Sequence, residues 1–136
     1  MKRFATILIL ITVTTTLMAS FIISNTSEII SDIEKAIQSG NAANVSIYFN
    51  STIDITVPKN EGTFSKTQAE MIIKDFFTKN PVKSFSINHK GTSNDGSKYG
   101  IGTYTSTSSI SFRTYFLLKK ADKNFLIQKL EFDDQQ

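Results

Sequence analysis

Two ionisable side chains in this 136-residue chain stand where proton transfer is worth testing: Asp54 and the single histidine, His89. An isomerase that removes a proton beside a carbonyl needs a carboxylate base. It also needs a neutral acid or a tyrosine hydroxyl to hold the enolate oxygen. Tyr48, Tyr99, Tyr104 and Tyr115 supply hydroxyls. Asp54 lies between Ile53 and Ile55 in an alternating run, so it takes one of two faces. Inward, within reach of a tyrosine, it serves as a base; outward, it is an ordinary strand carboxylate. His89 continues the face of Phe85 and Ile87 but adjoins a loop, so it reads as a rim histidine before it reads as a base.

Other chemistries are poorly supplied. With no cysteine, the chain has no disulfide scaffold, zinc-thiolate site, cysteine nucleophile or diacylated lipoprotein anchor. One histidine and dispersed carboxylates do not gather into a metal site, and no cofactor is expected. Asp122, Glu131, Asp133 and Asp134 read as a solvated tail rather than a calcium site. Gly100-Ile-Gly102 has no third glycine and opens no helix, so it marks a bend or bulge in a strand, not a phosphate loop. No serine sits in a nucleophile elbow.

The formal charge of +3 comes largely from the N-terminus. Without Lys2 and Arg3, thirteen Lys and Arg face twelve Asp and Glu. The remaining lysines are scattered, the densest group being Lys119, Lys120 and Lys123 at a turn, so no nucleic-acid partner is expected. Residues 1–24 read as a signal peptide and 25–136 as a single domain. Lys2 and Arg3 are followed by the apolar run Phe4 to Val13, and small residues stand at Ala19 and Ser20. The expectation is an exported protein, periplasmic or secreted. The competing reading is an uncleaved anchor over Phe4 to Ile23, which would be the sole contact with a membrane.

The stretch Ser65 to Pro81, SKTQAEMIIKDFFTKNP, is the best punctuated in the chain. Ser65 and Gln68 match a capping box. Ala69, Ile72, Ile73, Phe76 and Phe77 form one apolar stripe, Glu70–Lys74 and Asp75–Lys79 are acid-before-base pairs, and Pro81 stops the helix. Two adjacent phenylalanines demand a broad apolar partner. Upstream, the spacing of Ile29, Ile30, Ile33, Ala36 and Ile37 predicts a helix over Thr26 to Ser39 that ends at Gly40. Asn41 caps a short helix over Ala42 to Phe49, and Thr52 to Val57 is a strand. Lys59 to Phe64 reads as a polar loop.

After Pro81 the periodicity changes. Ser84 to His89 alternates, GTSNDGS (Gly91 to Ser97) is a hairpin turn, and Lys98 to Thr107, Ile110 to Lys120 and Phe125 to Phe132 complete an antiparallel meander. In the long strand, Ile110, Phe112, Phe116 and Leu118 face one way and Arg113, Tyr115 and Leu117 the other. The fold class is therefore α+β: a helical hairpin and a third helix packed on a curved antiparallel sheet.

This order of elements resembles the nuclear transport factor 2-like, or cystatin-like, cone fold, which also includes ketosteroid isomerases and SnoaL-type cyclases. More narrowly, the segments IEKAIQSGNAANVSIYFNSTIDITVP, EGTFSKTQAEMIIKDFF and FRTYFLLKK resemble a family of small exported Bacteroidetes proteins of unknown function, over Ser27 to Phe132. The family resemblance implies no catalytic residues. The wider fold implies a pocket between the third helix and the sheet. Ile73, Phe76, Phe77, Phe85, Ile87, Phe112 and Phe116 would line it and take a small apolar ligand. The fold also implies a homodimer through the face carrying Arg113, Tyr115 and Leu117.

Three functions follow from these readings. One is a non-catalytic domain that binds a small ligand or another protein. Another is a small pocket enzyme of isomerase or dehydratase type, using Asp54 or His89 with a tyrosine. The last is a structural homodimer with a filled core.

Overall fold

The computed structural model describes residues 25–135, with side chains from residue 28 onward. Among the described residues, three helices precede or interrupt the strands: α1 (Asn25–Gln38), α2 (Ala42–Ser46) and α3 (Lys66–Lys79). Six strands complete the fold: β1 (Phe49–Val57), β2 (Asn60–Ser65), β3 (Val82–Thr92), β4 (Lys98–Ser106), β5 (Ser111–Ala121) and β6 (Asn124–Asp134). They form one sheet in the order β2-β1-β6-β5-β4-β3. The nuclear transport factor 2-like, α+β architecture is therefore the observed one.

Local signals fixed the helices. Gly40 ends the α1 segment with φ +65°, a conformation that side chains with a Cβ disfavour. Asn41 caps α2 by accepting from the Ala43 N–H at 2.9 Å. On α3, Ser65 and Gln68 complete a reciprocal capping box, and Asn80 closes the other end before Pro81. Ala69, Ile73, Phe76 and Phe77 are buried, whereas Ile72 is half-buried at the edge of the stripe. Lys79 meets Asp75 at 2.8 Å; Glu70 and Lys74 form no ion pair among the described residues.

Three expectations change. The polar stretch Lys59 to Phe64 is largely strand β2, because a two-residue turn at Pro58-Lys59 folds it back on β1 with Ile53 opposite Phe64 and Ile55 opposite Gly62. Its exposed Glu61, Thr63 and Ser65 alternate with the half-buried Gly62 and Phe64, a short period-two pattern masked by polar composition. The second helix stops at Ser46, and β1 already begins at Phe49. The sheet is also mixed: β1 runs parallel to β6, with Ile55 opposite Leu130. The intervening hairpin, helix and meander form the crossover that a parallel pair requires.

The inner sheet face and the helices enclose a single apolar core that includes Ile33, Ile37, Phe49, Ile53, Ile73, Tyr104, Leu118 and Leu130. Gly100 and Gly102 lie on that face. A Cβ at Gly100 would enter the space of the Phe116 ring, and one at Gly102 would meet the Ser86 carbonyl and the Phe85 ring. These two glycines leave room for aromatic rings against the sheet, beside the register shift between Ile87 and His89 on the neighbouring β3. Among the described residues no helix is long and apolar enough to cross a membrane. The segment Phe4 to Ile23, on which the expectation of a signal peptide or anchor rests, lies outside the described residues.

Candidate functional site

The helix α3 and the strands facing it bring five rings together. Phe76 stacks on Phe132 with centroids 4.4 Å apart, and meets Phe112 edge-on at 5.1 Å and Tyr104 at 5.5 Å. Phe77 lies nearly parallel to Tyr104 at 5.9 Å and edge-on to Phe132 at 6.1 Å. These separations and angles are those at which aromatic quadrupoles attract, each pair adding about 0.5–1.5 kcal/mol beyond burial. All five rings are buried. The interior beneath Phe76 and Phe77 is thus occupied by side chains.

Of the residues expected to line a pocket, Phe76, Phe77 and Phe112 join this cluster, with Ile73 buried beside it. Phe85 and Phe116 are buried farther along the cone, against the two glycines. Ile87 is half-buried, on the strand that borders α1. Tyr104 and Phe132 are the members that the sequence reading passed over. Tyr104 offered a visible signal, standing two residues after Gly102 in an alternating strand. Its hydroxyl donates to the Asn80 carbonyl at 2.5 Å, tying β4 to the end of α3. Burial pushes that hydroxyl well above the usual tyrosine range, so it is held neutral.

A groove of about 300 Å³ reaches the cluster from outside, between the end of α3 and the β1–β2 turn, with Val57, Pro58, Phe76, Ile110 and Phe112 in its walls. Ile110 precedes β5 rather than facing the core within it, and is 43% exposed.

The proposed proton-transfer pair is not assembled. Asp54 opposes the buried Ile53 and Ile55, so it lies on the outer face, where its Oδ1 accepts from the Thr63 hydroxyl at 2.5 Å. His89 is displaced from the face of Phe85 and Ile87 by a register shift after Ile87, which sets it opposite Ile101. It is exposed. Four inter-strand spacings separate β1 from β3, roughly 19 Å. A proton relay between the two residues would need direct contact or one water. Among the described residues no group of three or more His, Cys, Asp or Glu stands close enough to hold a metal ion.

The outer face of the sheet has a different character. In register across β4, β5 and β6 run the rows Tyr99–Leu117–Lys129, Ile101–Tyr115–Glu131 and Thr103–Arg113–Asp133. Tyr99, Ile101, Tyr115 and Leu117 are each half-buried and form a contiguous apolar patch in the middle strands. Charges of both signs border it. Lys129 contacts Glu131 at 2.6 Å, and this hydrogen bond is the main cause holding the Lys129 ammonium above its usual range. Arg113 is exposed and makes no ion pair among the described residues.

A family model described as "Domain of unknown function (DUF4783)" matches residues 30–133. No curated protein matches the chain. Among solved structures, a DUF4783 family protein from Bacteroides ovatus ATCC 8483 is 28% identical, with 77% of this chain and 94% of that chain covered and a TM-score of 0.71. A DUF4783 family protein from Bacteroides uniformis ATCC 8492 is 24% identical over 82% of this chain and 99% of that chain, with a TM-score of 0.73. An NTF2-like protein of unknown function from Cytophaga hutchinsonii ATCC 33406 is 9% identical, with 82% and 90% covered and a TM-score of 0.57, a likeness of fold alone.

Proposed function

Since this chain belongs to the DUF4783 family, whose own description assigns no activity, we propose from its geometry that it is a non-catalytic protein-interaction domain. In this reading it pairs with a second copy of itself through the outer face of the sheet. The observation that carries the reading is a contrast between two faces. On the inner face, Phe76, Phe77, Tyr104, Phe112 and Phe132 fill the volume where a cone-shaped domain would hold a ligand. On the outer face, Tyr99, Ile101, Tyr115 and Leu117 are left partly exposed side by side. Aromatic and branched side chains on a rigid sheet favour association because they lose little conformational freedom when covered.

Charge supports a second copy as the occupant. The patch is bordered by Arg113 and Lys129 and by Glu131 and Asp133. A border carrying both signs presents no net repulsion to a second copy, whereas a strongly acidic or basic partner would meet like charge. Export, resting on Lys2, Arg3 and the apolar run after them, is part of the same proposal.

Sedimentation equilibrium tests the pairing. The purified protein is expected to show twice its chain mass at micromolar concentration, and Ile101→Glu is expected to halve that mass while leaving the circular dichroism spectrum unchanged. A protein that stays monomeric over the whole dilution series, or a dimer indifferent to Ile101→Glu, would overturn the reading.

A further inference from the structure

Strand β3 is an eleven-residue edge strand, the longest open edge in the sheet. Such an edge presents unpaired N–H and C=O groups and invites another strand to add to it. The other edge, β2, has six residues and runs straight into α3. The centre of β3 is occupied in an unusual way. The Gln38 side-chain amide donates to the Phe85 carbonyl at 2.9 Å, and the Ile87 N–H donates to the Glu34 carboxylate at 3.0 Å. These two backbone groups bracket Ser86. They are the carbonyl and N–H that an incoming strand would use to pair there.

The spacing explains the fit. Glu34 and Gln38 are four residues apart on one face of α1, about 6 Å along the helix. Phe85 and Ile87 are two residues apart on an extended strand, about 6.7 Å. A helix laid along the edge in the opposite sense, with an acceptor at i and a donor at i+4, therefore matches a strand with its N–H at i+2 and its carbonyl at i. The rest of the edge is defended by other means. Pro81 precedes it, Lys83 and Lys90 are exposed on it, and the register shift between Ile87 and His89 breaks the ladder beyond the covered pair.

We infer that Glu34 and Gln38 act as an edge guard: they take the hydrogen-bonding places of a neighbouring strand and prevent a second copy's β3 from adding to this one. The guard restricts self-association to surfaces other than the β3 edge. It does not depend on whether the outer face forms a dimer.

A cysteine reporter tests the guard, because the chain has no cysteine of its own. Antiparallel pairing of two β3 edges around Ser86 places the two Ser86 Cα atoms about 4.5 Å apart, as in a non-hydrogen-bonded pair. That separation falls inside the range of about 4.4–6.8 Å that a disulfide spans. Ser86→Cys alone is expected to cross-link slowly under mild oxidation. Adding Glu34→Ala and Gln38→Ala is expected to make cross-linked dimer form several-fold faster, and to raise hydrogen exchange at the Ile87 amide by roughly tenfold, the effect of one lost hydrogen bond. Glu34→Gln, which keeps an acceptor oxygen, should restore most of the protection. The comparison is repeated in an Ile101→Glu background so that pairing through the sheet face does not contribute. Equal cross-linking rates with and without the guard would overturn the inference, as would unchanged exchange at Ile87. If the double alanine variant does not fold, Gln38→Glu decides. It sets a carboxylate against the Phe85 carbonyl, and must raise cross-linking if the guard is real.

Discussion

Truncating Phe76 distinguishes a filled cone from an open one. Its ring is 3% exposed and touches four others, at 4.4 Å (Phe132), 5.1 Å (Phe112), 5.5 Å (Tyr104) and 5.9 Å (Phe77). Removing a buried phenylalanine costs about 3–5 kcal/mol, the sum of lost transfer energy and a cavity that neighbours cannot close. The four partners are themselves anchored on four different elements, α3, β4, β5 and β6, so collapse is restricted and Phe76→Ala belongs at the upper end. Domains of this size are stable by about 5–15 kcal/mol, so a large share would be lost. With a urea dependence of about 1–3 kcal/mol per molar, the unfolding midpoint should fall by roughly 2 M. Phe76→Leu keeps much of the volume and should cost about half as much, chiefly the ring–ring attraction. Equilibrium urea unfolding followed by circular dichroism measures both. Phe76 lines the groove of about 300 Å³ on its outer side; were the cone beneath it empty as well, the ring would have few partner atoms and its loss would be cheap. A midpoint shift below about 0.5 M for Phe76→Ala would refute the filled core.

Further outcomes follow from single residues. Thr114 is fully buried on the inner face, and its hydroxyl has no hydrogen-bond partner among the described residues, so Thr114→Val should stabilise the fold by about 1 kcal/mol in the same urea assay. A loss of stability would reveal a hidden partner for that hydroxyl. Tyr104 carries a pKa raised above its ordinary 10.0 by burial, so its neutral form belongs to the folded state. Its contribution is fully present below pH 10 and is lost as pH rises above it, where the unfolded chain gives up the proton first. Tyr104→Phe should cost about 1 kcal/mol at pH 7 through the lost bond to Asn80, yet flatten the decline above pH 10 seen by thermal unfolding. An identical alkaline slope in both proteins would contradict this assignment. Ser65→Ala should lower stability by about 1 kcal/mol, because the α3 cap loses its acceptor for the Gln68 N–H, and an unchanged melting temperature would show the cap to be idle.

The fold was legible wherever a local rule sufficed. Ser65, Gln68 and Pro81 bounded α3 because caps and stops act within one turn of a helix. The alternation in β5 set which residues face inward, because side chains of a strand alternate whatever the strand pairs with. His89 was misplaced for a related reason. Alternation counted from Phe85 holds until the register shift after Ile87, and such a shift depends on the neighbouring strand, here the glycine-containing β4. The polar stretch before Ser65 became β2 because it has β1 to pair with, and pairing is invisible in composition.

By itself, then, the sequence determined the three helices, the meander, the aromatic supply of the core and the absence of thiol chemistry. Only the tertiary structure decided how these meet. It put Asp54 outside, separated it from His89 by four strand spacings, and brought Phe132 and Tyr104 onto Phe76 and Phe77. It also laid Glu34 and Gln38 along β3, a contact between residues about fifty positions apart. The physical reason is the same in each case. Periodicity and capping are short-range properties of the chain, whereas the closing of a cone and the covering of an edge depend on which distant surfaces exclude water together.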